Sequence, residues 1–317
     1  MRELSIGKNE AGQRFDKYLK KLLCQAPGSF IYKMLRKKNI VLNEKKATGA
    51  ERLKMGDQVK LYLSEETYLK FSSRQESRGS VKYLPSVDLE HLPFTVLYED
   101  EDILMVNKPA GMLSQKAKPE DVSANEYILS YLAATGSFEN RPDEAFCPSV
   151  CNRLDRNTSG ILIAGKTLKG LQEIARQLKA REIQKIYRCI VEGNLTEACR
   201  IKGYLRKGWE ENKVCILPEA RTKDDKWIET EYVPIEQYRD ATLLEVRLIT
   251  GRTHQIRAHL ASVGHPVIGD TKYGGNMCPK RNMLYLHAYR VCLEGKAEVI
   301  APLPEEFLKL SDTLEKE

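Results

Sequence analysis

The chain has 317 residues, 42% of them hydrophobic and 30% charged, which is ordinary globular usage with room for two domains. That composition excludes a wholly disordered chain, a fibre and a disulfide scaffold, and no stretch reaches the ~18 apolar residues of a membrane span. The net charge of +7 is unevenly placed, because residues 1–70 hold 16 Lys+Arg against 8 Asp+Glu while the remainder is close to neutral. A compact polyanion-binding module joined to a neutral body is therefore expected, with a merely solvated basic face as the blander alternative.

The first segment predicts helix, helix, strand, strand. Phe15, Leu19, Leu22 and Leu23 recur at helical spacing, and Ala26-Pro27-Gly28 breaks that helix. Ser29 is the expected N-cap of a second helix with Phe30, Ile31, Met34 and Leu35 as its apolar stripe. Lys33, Arg36, Lys37 and Lys38 crowd its other side and its end, where cations can neutralise phosphates whatever the base sequence. Ile40-Val41-Leu42 is a short strand before a turn at residues 43–46, and Val59, Leu61 and Leu63 mark another. RFDKYL, IYKMLRKKNIVLNEKKA and LKMGDQVKLYL, between about residues 13 and 63, resemble the S4 RNA-binding domain. The resemblance implies that the helix end and turn grip structured RNA, but it implies no reaction.

Residues 64–90 lack periodicity, and SSRQESRGS reads as a flexible linker. The expected division is an RNA-binding module at 1–66, a linker at 67–90 and a larger domain at 91–317. The larger domain opens with strands at 94–98 and 103–106 around an acidic turn, then a helix at 122–134. Ile161–Ala164 is apolar throughout and suits a central strand, with the polar run Asn152–Gly160 as the loop before it. Thr167 is the expected cap of a helix with Leu171, Ile174, Ala175 and Leu178 on one face. Strands follow at 185–191 and, as a pair, within 229–248. Thr253 is the expected cap of a helix carrying Ile256, Leu260 and Val263, with Gly264 ending it. Hairpins outnumber crossovers, so the expected class is α+β: a largely antiparallel mixed sheet with helices packed on it, plus a small α+β module. No glycine-rich nucleotide motif and no 20–50-residue repeat is present.

The opening MRELSIGKNE lacks an apolar core of a secretory signal, so a cytoplasmic location is expected. The eight cysteines are scattered without a C-x-x-C pair, which suits reduced, packed thiols and no metal site. Asp155 stands in the polar loop Arg153–Gly160, where a turn and a reactive carboxylate kept ionised by arginines are both open readings. Gly251–Arg257 sets Arg252 and Arg257, with His254 and Gln255, at a strand end and helix start, an arrangement suited either to phosphate or to simple capping. Tyr187 lies in a strand and His287 reads as a core histidine. His254 and His259 are five apart, off the i,i+4 spacing of paired helix ligands.

YEDEDILMVNKPAG, NRLDRNTSGILIAGKT, KIYRCIVEG, TGRTHQIRAHLASVGHPVIGD and LYLHAYRV follow in that order between about residues 94 and 295. Together they resemble the RluA family of pseudouridine synthases, and with the S4-like segment the large-subunit ribosomal RNA branch of it. The resemblance implies that Asp155 is the catalytic aspartate, that Arg153 enters the RNA where the uridine flips out, and that Tyr187 stacks on uracil and is a candidate base. It pairs Arg257 with the aspartate. Arg252, His254 and Gln255, in the strand-end and helix-start constellation suited to phosphate, are the further expected contacts to substrate RNA. The family usually has His before R-L-D, and here Asn152 stands there. Isomerising uridine involves no redox change and no net hydrolysis, so no cofactor is expected. The expected partner is structured ribosomal RNA, bound by a monomer away from membranes. Competing readings are a non-catalytic RNA-binding factor and a hydrolase of phosphorylated small molecules. The second lacks a convincing nucleophile–base pair.

Overall fold

The computed structural model describes residues 1–7, 9–72, 85–138, 146–208, 213–275, 283–296 and 298–314. In the N-terminal unit, β1 (Arg2–Ser5) precedes α1 (Phe15–Leu22) and α2 (Gly28–Arg36). Then come β2 (Ile40–Leu42), β3 (Lys45–Lys46), β4 (Gln58–Leu61) and α3 (Glu65–Ser72). The strands form one antiparallel sheet in the order β1-β4-β2-β3. Phe15, Leu19 and Leu22 of α1 and Ile31, Met34 and Leu35 of α2 share a core with Ile40, Val59 and Leu61.

Four expectations need correcting in this unit. Strand β1 has no counterpart among them, because RELS alternates too briefly to register as a pattern. The expected turn at residues 43–46 is shorter, because Lys45 and Lys46 already pair with β2 as strand β3. The cap of α2 is Pro27 rather than Ser29, so Ser29 lies inside the first turn. The expected linker begins with α3, whose Tyr68 is buried in the same core. Beyond Ser72, SSRQESRGS lies outside the described residues.

The larger part starts with β5 (Thr95–Glu99), β6 (Ile103–Lys108), α4 (Ala124–Ala134), β7 (Ser149–Val150) and β8 (Ser159–Gly165). It continues with α5 (Leu168–Ala180), β9 (Gln184–Glu192), β10 (Cys199–Lys207), β11 (Val214–Leu217), β12 (Lys226–Tyr238) and β13 (Ala241–Leu248). Helix α6 (Gln255–Ser262), β14 (Leu286–Cys292), β15 (Val299–Ile300) and α7 (Glu305–Thr313) complete it. The sheet has 11 strands in the order β11-β10-β12-β13-β9-β14-β8-β6-β5, with β15 on β14 and β7 on β8. Among the described strands only β8 and β14 pair in parallel, so the mixed, largely antiparallel α+β expectation holds.

Both faces of the sheet are covered around β8. Leu162 and Ala164 join a core with Ile128 of α4 and Ile256 and Leu260 of α6. Ile161 and Ile163 pack on the other side with Ile174 of α5. That two-sided burial explains the unbroken apolar run. On α5 the buried set is Gly170, Ile174 and Gln177, whereas Ala175 is exposed. The cap of α6 is His254, not Thr253, and Val263 lies exposed just past its end. Strands β7, β10, β11, β14 and β15 and helix α7 have no counterpart in the sequence reading.

Candidate active site

The loop between β7 and β8 holds Asp155 at its apex and is fixed from both sides. On the β8 side, Asn152 Oδ1 accepts the Ile163 N–H at 2.8 Å and its Nδ2 donates to the Ile161 carbonyl at 3.3 Å. The residue that departs from the family pattern therefore pins the loop to the strand. On the other side, Ser114 Oγ accepts the Leu154 N–H at 3.0 Å and donates to the Leu154 carbonyl at 2.8 Å. Lys108 is fully buried, and its Nζ donates to the carbonyls of Pro109, Met112 and Arg156 at 2.8, 2.9 and 3.2 Å. Burial pushes its pKa down to about 8, against the opposing pull of the Asp155 charge. The Thr158 N–H closes a turn on the Asp155 carbonyl, so the turn and the reactive carboxylate are one structure.

Helix α6 and its N-cap bring Arg257 and His254 to this apex. Arg257 Nη1 donates to Asp155 Oδ2 at 2.9 Å. The same guanidinium forks onto buried Asp270, Nε to Oδ2 at 2.6 Å and Nη2 to Oδ1 at 2.8 Å. Burial alone would lower the Arg257 pKa, but the bonds to Asp270 and then Asp155 raise it above its ordinary value. Its guanidinium also lies 5.2 Å from the centre of the Tyr273 ring. His254 has φ +55°, a left-handed conformation that costs on the order of 1–3 kcal/mol off glycine. Its Nε2 stands 3.6 Å from Asp155 Oδ2, and its Nδ1 is 3.0 Å from the Tyr273 hydroxyl. Arg257 Nη1 and His254 Nε2 thus both face Oδ2, while Oδ1 has no hydrogen bond among the described residues.

Tyr187 is buried on β9, opposite Val246 of β13 and Ala288 of β14. Burial, and after it the nearby charge of Asp155, pushes its phenol well above the ordinary pKa. The phenol stays protonated at neutral pH, and its hydroxyl has no hydrogen bond among the described residues. Arg153 and Arg252 are exposed. Gln255 corrects an expectation: it is buried, and its amide serves Thr250, Thr230 and the Glu229 carbonyl instead of facing outward. His287, bonded to Ser159, is a core histidine, as is His259, bonded to Thr230. Lys33, Arg36, Lys37 and Lys38 belong to the N-terminal unit.

Sequence reasoning missed Lys108, Ser114, Asp270 and Tyr273. The signals were there: a lysine directly after the apolar run ILMV and one asparagine, and an aspartate and a tyrosine three apart where HPVIGD ends a hydrophobic stretch. The assembled site presents a half-anchored carboxylate whose charge acts on the Tyr187 phenol, with Arg153 exposed two residues away. Such a carboxylate can attack an electrophilic carbon or take a proton from one.

Residues 102–262 match the family described as RNA pseudouridylate synthase. Ribosomal large subunit pseudouridine synthase C of Escherichia coli K12 is 32% identical, with 95% of this chain and 93% of the relative covered. The protein of the same name from Pasteurella multocida is 31% identical over 99% of this chain and 94% of the relative. Among solved structures, human RNA pseudouridylate synthase domain containing 1 superposes with a TM-score of 0.57 at 22% identity, over 75% of this chain and 91% of that one, a likeness of fold. By that family match and by identity sustained along its whole length, the chain belongs to the RluA-type RNA pseudouridine synthases, enzymes that isomerise uridine within RNA.

Proposed function

We propose that this chain converts uridines of large-subunit ribosomal RNA to pseudouridine, with Asp155 acting on the sugar of a uridine drawn out of its helix. The observation that carries the reading is the Asp155 carboxylate, held by one oxygen on Arg257 and unbonded at the other, close to Tyr187. The substrate class is supported by the relatives, named for the large ribosomal subunit and matched over more than nine-tenths of both chains. A cytoplasmic site of action is part of the same proposal, supported by an RNA substrate. Among the described residues no helix is long and apolar enough to cross a membrane.

Extruding a base costs a few kcal/mol, which an inserted side chain can offset. Arg153 is exposed two residues from Asp155 and suits that task. The carboxylate then has two balanced routes. It can bond to C1′ while the N1–C1′ pair leaves on uracil, and be displaced when C5 attacks C1′ from the turned ring. It can instead take the C2′ proton, the C2′–H pair forming C1′=C2′ as N1–C1′ breaks, and return that proton after C5 has bonded. In both, C5 loses a proton and N1 gains one. The Tyr187 ring offers a platform for the detached uracil, and its neutral phenol suits stacking better than proton abstraction.

The test is Asp155→Asn in the full chain, acting on large-subunit ribosomal RNA. Arg257 keeps its fork on Asp270, so fold and RNA affinity should stay within a few-fold while pseudouridine formation is lost. Measurable turnover by the variant would remove Asp155 from the chemistry.

A further inference from the structure

We propose that His254 and Tyr273 are positioning residues that sort the two oxygens of Asp155, so that Oδ2 is the anchored atom and Oδ1 the one that meets the sugar. The proposal rests on the assignment of Asp155 as the catalytic carboxylate.

The Tyr273 hydroxyl is held between a backbone amide and an imidazole. It accepts the Val214 N–H at 2.9 Å. It has one proton of its own to place. Arg257 and Lys213, 5.2 and 5.5 Å from the ring centre, are cations with nothing to accept it, and Asp270 and Asp155 act on the phenol electrostatically but share no hydrogen bond with it among the described residues. Among the described residues the only acceptor in reach is His254 Nδ1, at 3.0 Å. The phenol therefore donates to Nδ1, and a neutral imidazole must then carry its proton on Nε2. That nitrogen faces Asp155 Oδ2 at 3.6 Å. The backbone N–H of Val214 thus begins a chain that runs through Tyr273 and His254 to one oxygen of the carboxylate.

Three further observations agree. The imidazole is held edge-to-face on the Tyr273 ring, with centroids 5.7 Å apart, so its orientation is fixed. Its backbone adopts a left-handed conformation that tertiary contacts must sustain. Burial first, with Arg257 and Lys272, lowers the His254 pKa against Asp155 and Asp270, which keeps the ring neutral at pH 7. At 3.6 Å the Nε2–H contact is a step short of a hydrogen bond, and such contacts commonly tighten when substrate docks. With Arg257 on the same oxygen, Oδ1 keeps its lone pairs for C1′ or for the C2′ proton.

The direct test is 15N NMR of the imidazoles in the full-length protein, with His254 identified by a His254→Gln variant. The Nε2–H tautomer is expected for His254, and Tyr273→Phe should shift it toward Nδ1–H. With ribosomal RNA, Tyr273→Phe should lower kcat by roughly 10- to 100-fold with KM nearly unchanged, the cost of a misdirected reacting group. His254→Gln, whose terminal amide can replace Nε2–H, should keep more turnover than His254→Ala. An Nδ1–H tautomer in the wild type, or a Tyr273→Phe variant with unchanged tautomer and kcat, would overturn the proposal. The tautomer is read without substrate. A chain inactive on ribosomal RNA but showing Nε2–H would therefore count against the substrate assignment and leave this inference standing.

Discussion

Arg257 bonds two carboxylates with one guanidinium, and that economy makes it hard to replace. Its Nε and Nη2 are taken by Asp270 and its Nη1 by Asp155, a fork that a lysine ammonium cannot reproduce. Arg257→Lys should keep the positive charge yet lower turnover by roughly 10²-fold, because the carboxylate would no longer be held to one geometry. Wild-type kcat at saturating RNA would show that charge alone suffices. Lys108 permits a different kind of test. Its folded pKa, about 8, lies below the ordinary 10.5, so between those values the unfolded chain holds more protons than the folded one. Stability contributed at this site should therefore rise with pH across that window, on the order of 1–3 kcal/mol. In urea melts the wild type should gain on a Lys108→Met variant between about pH 8 and pH 10, and a constant difference would contradict the linkage. Asp155 is legible in the sequence because it sits inside a long family motif. Lys108 and Asp270 are not, because a lysine near a Pro/Gly loop and an aspartate near a turn read as ordinary solvated residues. Their importance comes from burial, which depends on chain that arrives later.

Strand β8 shows which elements a sequence reveals. Its apolar run is unbroken because both faces are covered, and it reads as central for that reason. Strand β10 is hard to see because its residues alternate with charges: Arg200 bonds Glu229 and Arg206 forks onto Asp225 across the sheet. Such a strand looks like a polar connection until its partner is known. At the start of α6, Thr253 has the better intrinsic preference for the cap, whereas the ring packed on Tyr273 settles the matter at His254. Backbones approach closely at Gly160, where β8 meets β14 in parallel next to the active-site loop. Its φ is +111°, and a Cβ there would lie 2.3 Å from the Ala288 carbonyl oxygen. Neither strand can retreat, since each has a partner on its other side. Gly160→Ala should therefore destabilise the protein by several kcal/mol, lowering Tm by roughly 10 °C or leaving the chain insoluble. A variant melting within a degree or two of wild type would mean that β8 and β14 can part without harm.

Across the molecule, positive charge is divided unequally. The first 70 residues carry the whole excess. Its densest exposed group is Lys33, Arg36, Lys37 and Lys38 at the end of α2, where none forms an ion pair among the described residues. Lys38 takes a left-handed φ of +59° that turns the chain into β2. Cations at a helix C-terminus also favour the helix dipole, worth about 0.3–1 kcal/mol each at most exposed sites, so the cluster has a structural explanation to be weighed against the RNA one. Salt separates the two. If the four neutralise RNA phosphates, replacing all of them by glutamine in the full chain should flatten the dependence of log K on log salt. The slope should fall by up to about 3, at roughly 0.7–0.9 for each phosphate no longer neutralised. Affinity at low salt should drop by orders of magnitude, while kcat at saturating RNA should hold, since Asp155, Arg257 and Asp270 are untouched. If the cluster only stabilises α2, the variant should melt a few degrees lower and bind RNA with an unchanged slope. Fluorescence titrations of a large-subunit ribosomal RNA fragment at several salt concentrations, run beside thermal melts, give both readouts from the same two proteins. An unaltered slope with a lowered Tm would remove the α2 terminus from the RNA interface and leave the catalytic sheet to bind its substrate without it.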